Sequence, residues 1–235
     1  SVVVSLVFFR GVSFVSSVAC PSFFYGCFNR LAAPHEQATK IITIGFLLDG
    51  FTHYDARPDS EVGKWLTKVK NKAEALLKKD LGMDITLEIL SFKVLHHKLD
   101  RVIKTWTTDG QMHADTVVGY LKTYFTEGYN PDILCLVTRY KLYGDGSNAQ
   151  TGYSRYKDLC KDVVPTIIEY KLANVDKSGS FLFNVIKSSF PSYWKGLTKY
   201  QQELFLDTCN IQYKGIYADF DYYARLPFYK DYVFE

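Results

Sequence analysis

His96 and His97, with Asp100 three positions further on, are the local cluster of this sequence that suggests a metal. Neighbouring residues of a strand point to opposite faces, so at a surface strand end, the reading preferred here, the two rings diverge. The other histidines are His35, His53 and His113, and none of the five lies beyond residue 113. Gly144-Asp145-Gly146-Ser147 has the make-up of a phosphate or calcium loop, but lacks the helix start or the regular acidic ladder such sites need. No G-x-S-x-G nucleophile turn occurs. Asp49 and Glu169 close apolar runs and mark strand ends near a cleft; neither is assigned as a ligand.

The five cysteines are Cys20, Cys27, Cys135, Cys160 and Cys209, an odd number that leaves at least one thiol unpaired. Cys135 sits in the middle of an apolar run and reads as a buried free thiol. Cys20 and Cys27 can pair if their segment survives maturation.

These residues must be positioned by elements whose pattern begins at Lys40. Ile41–Leu48 is a continuous apolar run ending at Asp49-Gly50, as a buried strand should be. Val62, Trp65, Leu66, Val69, Ala73, Leu76 and Leu77 share one helical face, with Asp59 or Ser60 as cap, Gly82 as terminator and lysines opposite. Asp84–Leu90 alternates with period two, a half-buried strand. His113–Thr126 reads as a second amphipathic helix, with Val117, Val118, Leu121, Tyr124 and Phe125 inward. Asp132–Thr138 is again a buried strand, followed by a turn-rich loop at Gly144–Asn148. Gly152–Tyr156 reads as a short edge strand, Val163–Tyr170 as another strand, and Asp176–Ser180 as a loop. Phe181–Lys187 is apolar at either period, and Leu197, Tyr200, Leu204 and Phe205 recur at helical spacing before Cys209. Strand–helix–strand–helix–strand order predicts an α/β fold with a mostly parallel, twisted sheet flanked by helices.

Composition sets the outer limits. The chain has 235 residues, 47% hydrophobic and 23% charged, enough for one α/β domain with a real core. A formal charge of +3 is too small to imply nucleic acid. The lysines between Lys64 and Lys79 read as a solvated helix face. Residues 1–39 differ from the rest: an apolar stretch broken by Arg10, too interrupted for a membrane span. It reads as a signal or pro-segment remnant or a fragmentary end, in preference to a strand of the fold. The aromatic tail 211–235 has no clear period, and Phe220-Asp221-Tyr222-Tyr223 reads as packing.

The order of segments from Lys40 to Asn210 resembles the reprolysin (adamalysin) branch of the metzincins, especially arthropod salivary and venom members. Ile41–Asp49 matches the opening strand that ends in an acid, and Val62–Lys79 and Ile85–Leu90 match the long helix and alternating strand. Asp132-Ile-Leu-Cys-Leu-Val-Thr-Arg139 resembles the family's third strand. Gly152-Tyr153-Ser154-Arg155-Tyr156-Lys157-Asp158-Leu159-Cys160 keeps the glycine, an aromatic and the cysteine of G-x-A-Y-x-G-x-C. Pro165–Tyr170 matches a strand carrying an acid, and Tyr200–Cys209 the helix that closes on a cysteine.

The resemblance implies a metzincin-like upper subdomain over residues 40–210, secreted and extracellular. It implies a disulfide between Cys160 and Cys209, the alternative being two free thiols in a reducing compartment. It also implies a peptide-binding edge at Tyr153, Ser154, Arg155 and Tyr156 that pairs with extended substrate. In the family, acids at positions such as Asp49 and Glu169 can assist calcium.

One departure decides the chemistry. The family holds zinc through H-E-x-x-H-x-x-G-x-x-H, whose glutamate activates the bound water. His35-Glu36 is followed by Thr39 where the second ligand should stand, and lies upstream of the domain. Lys171–Phe190, the interval where the motif belongs, contains no histidine. The active-site helix is therefore expected to be missing and the lower part of the domain truncated. No catalytic residue, metal ligand or cofactor is assigned, and enzymatic activity is left open. The expected molecule is an inactive homologue of a zinc metalloendopeptidase, monomeric, binding an extracellular protein or peptide; the alternative is an exon-skipped or fragmentary form of an active one. An α/β binding domain of unrelated ancestry is a third class.

Overall fold

The computed structural model describes residues 39–126, 130–144, 151–157 and 159–209. The N-terminal segment with Cys20, Cys27 and His35, most of the Gly144–Asn148 loop and the aromatic tail lie outside them.

The apolar run at the start of the domain forms β1 (Lys40–Asp49), with every residue but Ile41 buried. Helix α1 (Glu61–Leu81) follows, capped by the Ser60 hydroxyl on the Gly63 amide and closed by Gly82 at a left-handed φ of 60°. Its buried face is the expected one at Val62, Trp65, Leu66, Val69, Ala73 and Leu77, while Leu76 is only partly buried. The next strand, β2 (Ile85–Val94), runs further than the alternation of its first half indicates. It ends against helix α2 (His97–Lys104), whose N-cap is His96. The two histidines therefore stand at a helix start, and the strand-end expectation for them is corrected.

Short strands β3 (Thr107–Thr108) and β4 (Gln111–His113) lead into helix α3 (Ala114–Tyr124), capped by His113. Of its expected inward residues Val117, Val118, Leu121 and Phe125 are buried, whereas Tyr124 is exposed. Strands β5 (Ile133–Thr138) and β6 (Lys141–Tyr143) come next, then β7 (Gly152–Tyr153) and β8 (Val164–Glu169). Both β5 and β8 are buried throughout.

The interval after β8 is mostly helical. A 3-10 turn at Leu172–Asn174 leads into α4 (Val175–Ser188). Asp176–Ser180, expected as a loop, is its first part. Leu182, Val185 and Ile186 face the core, and Gly179 has no side chain where Lys72 and the Val69 carbonyl of α1 come into contact distance. That bare position lets α4 lie close against α1. Helix α5 (Lys199–Asp207) ends the described chain, with a Thr198/Gln201 capping box. It buries Leu206, and Leu197 and Phe205 pack against the core as expected, whereas Tyr200 and Leu204 are exposed and that part of the expected face is corrected.

The main sheet has the order β2-β1-β5-β8-β7, parallel except for β7, which runs antiparallel to β8 at the edge. A second, small sheet has the order β3-β4-β6, antiparallel between β3 and β4 and parallel between β4 and β6. Alternate strand residues divide between two cores. Ile42, Ile44, Phe46 and Leu48 pack with α1 and α4, while Leu47, Leu134, Leu136 and Ile167 pack with α2 and α3. The result is an α/β fold with a five-stranded, mostly parallel sheet flanked by helices. No described helix is long and apolar enough to cross a membrane.

Candidate functional site

A two-residue strand at the sheet edge sends its side chains to opposite faces. Gly152 of β7 faces α4: a side chain there would collide with the Phe181 ring and the Ile167 carbonyl. Between this edge and α4 runs a groove of about 560 Å³, bounded by Thr151 and Gly152 on one side and by Asp176, Lys177, Ser180, Phe181 and Asn184 on the other. Phe181 gives the groove an apolar wall, and the remaining α4 residues give it a polar one.

The next four residues turn away from this groove. The Tyr153 hydroxyl donates to Asp115 Oδ1 at 2.7 Å, and Arg155 Nη1 donates to the same oxygen at 2.5 Å. These bonds, the Tyr153 one foremost, hold the Asp115 carboxyl below the usual aspartate range. Arg155 Nη2 also donates to the Tyr156 hydroxyl at 3.0 Å, and Ser154 Oγ donates to the Pro165 carbonyl at 3.2 Å. Tyr153, Ser154, Arg155 and Tyr156 thus fasten the edge to α3 and β8, while Thr151 and Gly152, just upstream, border the groove.

A second set of bonds ties the far end of the domain to the sheet. Cys160 and Cys209 form a disulfide, and Cys135 is a buried free thiol whose ionisation burial opposes strongly. Beside the disulfide, buried Asp132 accepts from the Thr43 amide at 2.8 Å and the Thr43 hydroxyl at 2.9 Å, locking β1 to the start of β5. Lys40 Nζ reaches both oxygens of Asp207 at 2.9 and 2.8 Å, joining β1 to the end of α5.

At the carboxyl ends of three adjacent strands, Asp49, Thr138 and Glu169 lie in one register row. Thr138 Oγ1 donates to Asp49 Oδ2 at 2.6 Å, and Lys171 pairs with Glu169 at 2.8 Å. Asp49 is fully buried and its Oδ1 has no hydrogen-bond partner among the described residues. Burial raises its carboxyl above the usual aspartate range. The folded chain then holds that proton more tightly than the unfolded chain does. The stability it contributes is present below the unfolded value and is lost as pH rises through the folded one. Asp49→Asn keeps an acceptor for Thr138 and cannot ionise. Its stability relative to the parent is expected to improve as pH rises above the ordinary aspartate range, measured by urea unfolding. A relative loss as pH rises would show that Asp49 is favourably ionised in the fold.

The resemblance implies zinc at the helix after β8, and the donors there do not fit it. Zinc sites take three or four ligands from His, Cys, Asp and Glu. The groove side of α4 offers only Asp176, which already pairs with Lys72 at 2.9 Å. No hydrolytic step follows from such a lining.

No family model and no curated protein matches this chain. Among solved structures, the archaemetzincin from Methanopyrus kandleri aligns over 72% of this chain and 87% of its own, at 14% identity and a TM-score of 0.39. A chain of a chaperone–substrate complex aligns over 60% of this chain and 25% of its own, at 11% identity and a TM-score of 0.33. At such TM-scores these likenesses transfer neither site nor activity.

Proposed function

We propose that this chain is a secreted, reprolysin-like pseudoprotease that holds an extended peptide along the edge of β7 without cutting it. The observation that carries the proposal is the pairing of an open sheet-edge groove with a histidine-free helix, α4, as its second wall. An extended peptide can add its backbone to a sheet edge and place alternate side chains in the adjoining groove. Phe181 offers such a chain an apolar contact, and Lys177 and Asn184 offer polar ones. The burial of Leu182, Val185 and Ile186 against α1 supports an intact module over the remnant of an excised catalytic helix.

Fluorescence anisotropy with a pool of labelled, unstructured decapeptides tests this reading. Asn184 is exposed on the groove wall, so Asn184→Trp fills the groove without disturbing the core. The substitution is expected to weaken binding by about tenfold or more, roughly 1.4 kcal/mol, with an unchanged circular dichroism spectrum. Equal binding by parent and variant, or no binding by the parent, would remove the groove from the function.

A further inference from the structure

In an open parallel sheet, ligands favour the carboxyl ends of strands where successive connections diverge. Here β1 leaves through α1 toward β2, whereas the chain continuing from β5 proceeds outward to β8, on the other side of β1. The divergence falls at Asp49 and Thr138, which face each other in register. A cleft of about 510 Å³ opens beside it, between the ends of β1 and β2 and helix α2.

His53, His96, His97, Asp100 and Lys104 line this cleft, so three of the four described histidines border it. The His96 and His97 rings lie 4.1 Å apart, because both stand at the turn into α2. Leu48 and Gly50, the neighbours of Asp49, line the cleft as well. Asp100 and Lys104, whose charges act on Asp49, form its wall. Asp49 itself is fully buried behind the lining, with one carboxyl oxygen that has no partner among the described residues.

We infer that this cleft binds a divalent first-row transition ion through the imidazoles of His53, His96 and His97 and the carboxylate of Asp100. Asp49 lies behind, a buried carboxyl whose ionisation a bound cation favours. Mixed imidazole and carboxylate donors favour ions such as Co²⁺, Ni²⁺ or Zn²⁺ over Ca²⁺ or Mg²⁺, which prefer oxygen alone. Among the described residues the one trio of potential ligand atoms already within 4.8 Å of one another is Asp132, Cys160 and Cys209, and both of its sulfurs are joined in the disulfide. The histidine cleft is therefore completed on binding. His53 and His97 are exposed and free of core packing, so their rings supply the adjustment, and Lys104, now 2.6 Å from Asp100, gives way.

Isothermal titration of the full chain with Co²⁺ alone is expected to show one bound ion per chain, with visible absorption from imidazole ligation. His53→Ala/His97→Ala changes only exposed side chains and is expected to weaken binding by about tenfold or more. Asp49→Asn is expected to weaken it as well, with the fold checked by circular dichroism. Asn184→Trp, which blocks the peptide groove, is expected to leave Co²⁺ binding unchanged, so this site and the groove fail or stand separately. No Co²⁺ uptake, or equal affinity in the parent and the double histidine variant, would overturn the inference.

Discussion

Replacing Cys160 and Cys209 together by alanine is expected to lower the unfolding free energy by about 4 kcal/mol, the chain-entropy value for a loop of this length. The two residues are separated by 49 positions, so the bond removes a large part of the freedom of the unfolded chain. Lys40–Asp207 and buried Leu206 still hold α5 in the variant, so the native structure is expected to persist at room temperature. Urea unfolding of parent and variant measures the difference. A loss below about 1 kcal/mol would mean that the unfolded chain already keeps these segments together.

Trp65→Ala is expected to cost about 3–5 kcal/mol, the range for emptying a large aromatic from a core. Trp65 is 2% exposed and packs edge-on to Tyr170 at 5.0 Å. Its indole nitrogen also donates to the Lys171 carbonyl at 3.0 Å, at the start of the turn that leads into α4. The substitution therefore acts twice, on the α1 core and on the placement of the groove's second wall. Trp65→Phe keeps most of the buried ring and loses the hydrogen bond, which is expected to cost about 1–2 kcal/mol. Unfolding curves for both variants, read beside peptide affinity, separate packing from positioning. Equal losses for Ala and Phe would assign the whole effect to the hydrogen bond.

The elements legible in the sequence were those whose burial follows one period. α1 carries caps at both ends and a continuous apolar stripe, and β5 and β8 are buried on both faces, so their runs stand out. β2 is an edge strand whose second half is only partly buried, which removes the alternation that would mark it. α2 spans two turns and buries only Leu99 and Ile103, too little for a pattern, so His96 and His97 read as the end of a strand. α4 was obscured for a packing reason: Ser178 and Gly179 are small because they meet α1, and in sequence they resemble a loop.

The site divides along the same line. That no histidine follows β8 is visible in any linear reading. The groove is not, because Asp176, Lys177, Ser180 and Asn184 gather on one wall only once that segment is helical. The edge residues Tyr153 and Arg155 are placed by Asp115, which lies 38 and 40 positions away, a partnership that no local spacing records.

The most direct measurement incubates the full chain with equimolar Zn²⁺ and an unfolded protein, with and without a chelator, and follows both binding and cleavage by mass spectrometry and anisotropy. A pseudoprotease is expected to bind the unfolded protein while releasing no chelator-sensitive fragments. Zinc uptake alone, through the histidine cleft, is compatible with that outcome. Zinc-dependent, chelator-sensitive cleavage by the purified chain would contradict it.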